Sequence, residues 1–188
     1  MKKDLKLFAV YLGGGAPKSN IELHDVVFVV GTSLEETYPK LKEKWFGSPK
    51  IPHIDSYIEL AHADGFQISL SSEPKQSPQK LYFVNFGAYA ENLFGEIHQS
   101  AFYVAQDKAE ATQKARKELC VGMKQAHLDD HLEVEGLIFD VDDILELESV
   151  DGYHLQFTPC EVKSTSPAHP GYIKLKQKEA EPHESNKT

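Results

Sequence analysis

The apolar positions of this chain fall into short runs, and the same order of runs occurs twice. LFAVYL, from Leu7 to Leu12, and LYFVNF, from Leu81 to Phe86, are aromatic and β-branched and predict opening strands. Each is followed by a glycine-containing loop and a second run, DVVFVVG or SAFYVAQ, that predicts a second strand. Polar helix starts come next. Ser33 with Glu36, and Asp107 with Glu110, place a capping side chain three residues ahead of a glutamate, which satisfies otherwise unpaired first-turn amides and is worth about 1 kcal/mol. Leu34, Tyr38, Leu41 and Trp45 share one face of the first predicted helix, and Thr112, Ala115 and Leu119 take corresponding places on the second. Pro39 should kink the first helix or delay its regular part, and Gly47 and Gly122 are expected stops. Each series closes on a hairpin, SYIELAHADGFQISL or DILELESVDGYHLQF, with Asp-Gly between strand-like runs. A type I′ turn needs positive φ at both central residues, and Asp-Gly supplies them.

The two series are copies. A shift of 74 positions lays Leu7, Val10, Gly13, Ala16, Glu22, His24, Phe28, Val30, Glu36 and Lys40 on identical residues, from Leu81 to Lys114. Asp64-Gly65 matches Asp151-Gly152 at a shift of 87, so the second copy carries a 13-residue insertion between His127 and Asp140. The expected organisation is a first β-β-α-β-β repeat over 1–73, a Ser/Pro/Lys-rich linker over 74–80, and a second repeat over 81–159. A polar, largely disordered tail over 160–188 is expected to follow, with disorder beyond about Lys174. The fold class predicted is α+β, mainly antiparallel sheet with helices packed on one face.

Taken together, LFAVYLGG, NIELHDVVFVVG, LYFVNFG and VDDILELESVDGYHL resemble a bacterial family known as domain of unknown function 1543. The resemblance covers roughly Lys6 to Pro159 and implies a small bacterial cytosolic protein. It carries over no activity, cofactor or site residue.

Composition narrows the function classes. With 29 acidic and 20 basic residues, a net charge of -9 repels phosphate backbones and anionic membrane surfaces, so neither nucleic acid nor membrane is an expected partner. The amino-terminal MKKDLKLFAVYLGGG imitates a signal peptide only superficially. Asp4 interrupts its charged region and the apolar run is short, so it reads as a strand in a cytoplasmic protein. Cys120 and Cys160 lack the spacing of a disulfide framework or zinc knuckle.

Candidate chemistry is sparse. Gly13-Gly14-Gly15 follows a strand but matches no phosphate-loop pattern, and only its first glycine recurs, at Gly87. His127, Asp129, Asp130 and His131 offer metal-ligand types at helical spacing, yet they lie in the insertion and lack a recognised signature. Ten acidic residues and no Lys or Arg run from Asp129 to Asp151, which reads as a solvated edge. The Glu-x-His pairs Glu22/His24 and Glu96/His98 occur in both copies. Period-2 alternation places each pair on the face of Phe28 and Val30, or of Phe102 and Val104, at the rim of the core. The leading expectation is a non-catalytic binding or protein-interaction module without a cofactor, with homo-oligomerisation an open option. The alternative is a small-molecule enzyme of hydrolase or isomerase type using these pairs as general acid and base.

Overall fold

A computed structural model describes residues 4–47, 52–75, 77–89, 92–119, 124–125 and 140–175. The first repeat comprises β1 (Lys6–Gly14), β2 (Leu23–Gly31), a 3-10 turn (Glu35–Thr37), α1 (Tyr38–Lys44), β3 (His53–Glu59), β4 (His62–Ala63) and β5 (Phe66–Ser71). The second comprises β6 (Lys80–Tyr89), β7 (Ile97–Ala105), α2 (Lys108–Glu118), β8 (Lys124–Gln125), β9 (Asp140–Leu147), β10 (Ser149–Val150) and β11 (Tyr153–Pro159), and β12 (Ala168–Lys174) follows. The fold is mostly antiparallel sheet with two short helices.

The strands form three sheets. One has the order β12-β3-β1-β2, and another is built on β6, with β7 along one edge and β8 and β9 along the other. The third, β10-β11-β5-β4, joins the closing hairpins of both repeats through β5 and β11. The first arm of each hairpin therefore changes sheet. β3 pairs with β1, the chain bends at Leu60 and Ala61, and β4 continues into the shared sheet.

Alternation along β1 and β2 explains why these runs are apolar throughout. Leu7, Ala9, Phe28 and Val30 pack in a central cluster with Leu81, Phe102, Val104 and Leu147 of the second repeat, together with hairpin residues such as Ile68 and Leu155. The alternate residues Phe8, Val10, Val27 and Val29 join Leu34, Leu41 and Trp45 in a separate cluster under α1. Tyr82, Val84 and Tyr103 pack likewise with Ala111 and Ala115 of α2. Strands buried on both faces need continuous hydrophobic sequence. Each helix covers the face of its own repeat's sheet that is turned away from the central cluster.

Local signals act where the sequence places them. The Asp107 carboxylate accepts the Glu110 amide at 2.8 Å, and the Glu110 carboxylate accepts the Gln106 amide at 2.9 Å. In the first repeat the Glu36 amide reaches Ser33 Oγ at 3.4 Å, and Glu36 accepts from the Thr32 amide and hydroxyl. Pro39 lies in the first turn of α1 behind the 3-10 turn, so the regular helix is delayed. Both hairpin turns have positive φ at both central residues: +49° and +81° at Asp64-Gly65, +51° and +83° at Asp151-Gly152. Gly122 and the 127–139 part of the insertion lie outside the described residues.

Each turn aspartate is also a lock on the other repeat. Asp151 accepts the Val30 amide at 2.9 Å and the ammonium groups of Lys40 and Lys44, both at 2.8 Å. Lys40 in turn donates to the Val30 carbonyl at 2.7 Å. Reciprocally, Asp64 accepts the Val104 amide at 3.1 Å and Lys114 at 2.8 Å, and Lys114 donates to the Val104 carbonyl. Burial pushes the Asp151 carboxyl up, but the bonds from Lys40, Lys44 and the Val30 amide outweigh it and hold the carboxyl below its usual range.

The tail departs from expectation. Residues from 160 onward were expected to be largely disordered, yet Ala168–Lys174 forms β12 along β3, and Leu175 is only 1% exposed within the cluster that holds Leu41 and Trp45. The apolar Tyr172, Ile173 and Leu175 supply what the surrounding polar sequence conceals. Leu175→Ala should therefore cost about 2 kcal/mol or more in urea melts.

The lock gives a pH signature. A carboxyl depressed in the native state contributes stability that is present above its unfolded value, near about 3.9, and is lost as pH falls through the lower native value. Asp151→Asn should destabilise by about 1–3 kcal/mol at pH 7. The gap between wild type and variant should narrow when the melts are repeated near pH 3.

Candidate functional site

β1 is the central strand of a polar centre at one end of its sheet. In the two ladders Gly13 stands opposite His24 of β2 on one side and opposite His53 of β3 on the other. The β1/β3 register slips between Tyr11 and Leu12, leaving Asp55 as the extra residue of a bulge. Glu22 precedes β2. These four side chains converge. His24 Nε2 lies 3.3 Å from Asp55 Oδ2 and 3.7 Å from Glu22 Oε2, and His53 Nε2 lies 3.2 Å from both Asp55 Oδ1 and Glu22 Oε1. The contacts alternate imidazole and carboxylate around a closed ring.

Gly13 is the floor of this ring. A Cβ there would stand 2.5 Å from Asp55 Oδ2 and 2.6 Å from His53 Nε2, closer than side chains approach. Tyr11 stacks on His24 with centroids 5.3 Å apart, and Tyr172 of β12 lies against His53 at 4.4 Å. Burial, reinforced by Asp55, pushes the Tyr11 hydroxyl pKa up. His53 is the most enclosed member, with 12% of its side chain exposed, whereas Glu22 is 48% exposed.

Proton count leaves the ring incomplete. An imidazole nitrogen carries at most one hydrogen, yet each Nε2 faces two carboxylates, so four contacts can hold at most two hydrogen bonds. Asp55 Oδ2 is buried and accepts no well-aligned bond although His24 Nε2 is near. Among the described residues no group of three or more His, Cys, Asp or Glu side chains is placed to hold a metal ion.

The second repeat repeats the scaffold with other residues. Gly87 stands opposite His98 and opposite Asp140, and the bulge again falls two ladder pairs along from the glycine, at Asp142. His98 Nε2 lies 3.9 Å from Glu96 Oε2, and Asn85, in the place of Tyr11, lies 3.3 Å from His98 Nδ1. Asp140 and Asp142 occupy the register positions of His53 and Asp55. The pairs Glu22/His24 and Glu96/His98 are thus at corresponding places, while His53 and Asp55 were missed in the sequence. Their signal was the alternation His-x-Asp at one strand start, matched 87 residues later by Asp-x-Asp. His127, Asp129, Asp130 and His131 lie outside the described residues. A groove of about 780 Å³ between Leu5, Glu59, Leu70 and Tyr153 contains none of the candidate residues. Among the described residues no helix is long and apolar enough to cross a membrane.

A search of curated proteins finds no match. Among solved structures, the crystal structure of a protein Il1583 from Idiomarina loihiensis is similar to this chain at 36% identity and a TM-score of 0.70. The match covers 93% of this chain and 99% of that one. The family model described as Domain of Unknown Function (DUF1543) matches residues 19–70 and 94–138, one segment in each repeat. The chain belongs to the DUF1543 family.

Proposed function

We propose that the protein is a binding protein for a small, positively charged ligand, and that the Glu22, His24, His53 and Asp55 ring is its site. The observation that carries this reading is the unsatisfied ring itself: two carboxylates face two imidazoles that cannot donate to both. With neutral imidazoles the centre carries two negative charges, so a cation complements it in charge and completes its bonding. The glycine floor and the two flanking tyrosines fix the side chains in place, as a preorganised site requires.

A second reading has one observation in its favour. Each imidazole has carboxylate neighbours, the pairing used by general acid–base catalysts. Under that reading His24 and His53 would exchange protons with a bound substrate, and turnover would accompany binding.

A thermal-shift screen of inorganic cations, amines and guanidinium compounds on the full chain tests the proposal, because a ligand bound to the native state raises its melting temperature. At least one cation should raise it by several degrees in the wild type and not in His53→Ala or Asp55→Asn. Cations that shift wild type and both variants equally, or none that shift the wild type, would overturn the assignment. Product formation from a hit would transfer the site to the enzymatic reading.

A further inference from the structure

A second difference between the repeats lies at the other end of β1 from the Gly13 ring. Lys6 matches Lys80 at the 74-position shift, and Glu59, Leu60 and Ala61 match Glu146, Leu147 and Glu148 at the 87-position shift. Only Ala61 and Glu148 differ. In the second repeat Lys80 Nζ lies 2.6 Å from Glu146 and 2.6 Å from Glu148, so two carboxylates hold one ammonium. In the first repeat Lys6 Nζ lies 2.9 Å from Glu59 and, among the described residues, has no second carboxylate at ion-pair distance, because alanine stands in the place of Glu148. The groove of about 780 Å³ opens there, lined by Lys6, Glu59 and Ala61 where β1 and β3 meet the shared sheet. Its volume is that of a small-ligand pocket.

We infer that this groove binds a free α-amino acid with an apolar side chain, whose carboxylate takes the place at Lys6 that Glu148 takes at Lys80. An ammonium has three donors, and Lys6 gives one to Glu59, which leaves donors for an incoming carboxylate. The second repeat shows that this lysine, with this glutamate beside it, accepts a second carboxylate.

Charge decides against a plain anion. Asp4 also lines the groove and acts electrostatically on Lys6, so one ammonium already faces two carboxylates, those of Asp4 and Glu59. A ligand with a carboxylate alone would deepen that excess. One that carries an ammonium as well brings its own partner for Asp4 or Glu59 and complements the groove at both ends. The remaining wall selects the side chain. Leu5, Leu70 and Tyr153 line the same groove, each only partly buried, and an aliphatic or aromatic group laid against them removes apolar surface from water.

Isothermal titration of the full chain with L-leucine, L-methionine and L-phenylalanine tests this. At least one should bind, and its amide and its deaminated acid should each bind at least tenfold more weakly. Ala61→Glu, which restores the carboxylate of the second repeat, should abolish binding while leaving the melting temperature equal or higher. Lys6→Gln should weaken binding at least tenfold. His53→Ala should leave it unchanged, since the ring lies at the far end of β1. Circular dichroism identifies any variant that fails to fold, and Lys6→Gln decides the matter if Ala61→Glu does so. No binding by any of the three amino acids, equal binding of the amide or the deaminated acid, or binding that survives both groove variants overturns the inference. Binding lost in a folded His53→Ala protein overturns it as well and assigns the ligand to the ring.

Discussion

The reciprocal lock between turn aspartates and strand-plus-helix lysines is the contact on which the two-repeat architecture depends. A type I′ turn delivers a carboxylate from each hairpin to an edge-strand amide of the opposite repeat, where a lysine from that repeat's helix joins it. The amide would otherwise stand unpaired on the side of the strand away from its ladder, and an unmet buried donor costs roughly 1–3 kcal/mol. The lysine also bonds the carbonyl of the same residue, so one aspartate and one lysine satisfy both polar groups of Val30 or of Val104. Neither repeat contains both halves of its own lock.

This explains much of what was legible in the sequence. Val30 and Val104, Lys40 and Lys114, and Asp64 and Asp151 are identical between repeats because they take the same parts in the same contact. The strands, capped helices and Asp-Gly hairpins were readable because each rests on local chemistry: side-chain period, an acceptor for first-turn amides, positive φ in a turn. What joins distant segments was not readable. Nothing local shows that β5 and β11 would pair, or that Leu175 would be buried beneath α1's neighbours, since both depend on surfaces assembled from strands far apart in sequence.

The candidate site was half legible for the same reason. Glu22 and His24 stood out because the pair recurs at Glu96 and His98. His53 and Asp55 did not recur in kind, and only the ladder that places Gly13 between His24 and His53 shows that the four belong together. The bulge at Asp55 is the geometric device, since an extra residue in β3 re-aims its side chain toward the floor that a glycine leaves open. The recurrence of the same bulge in β9 shows that the scaffold is a property of the repeat, while its donors differ between the copies.

The exchange of turn aspartates also orders events during synthesis. Lys40 and Asp151 are separated by 111 positions, so at roughly 5–20 residues per second Lys40 is added to the chain roughly 6–22 s before its partner carboxylate. During that interval the central face of the first repeat, with Leu7, Ala9, Phe28 and Val30, lacks the half of its cluster that Leu81, Phe102, Val104 and Leu147 supply. The duplication therefore leaves part of the first half's apolar strand surface uncovered until the carboxy-terminal half emerges to meet it.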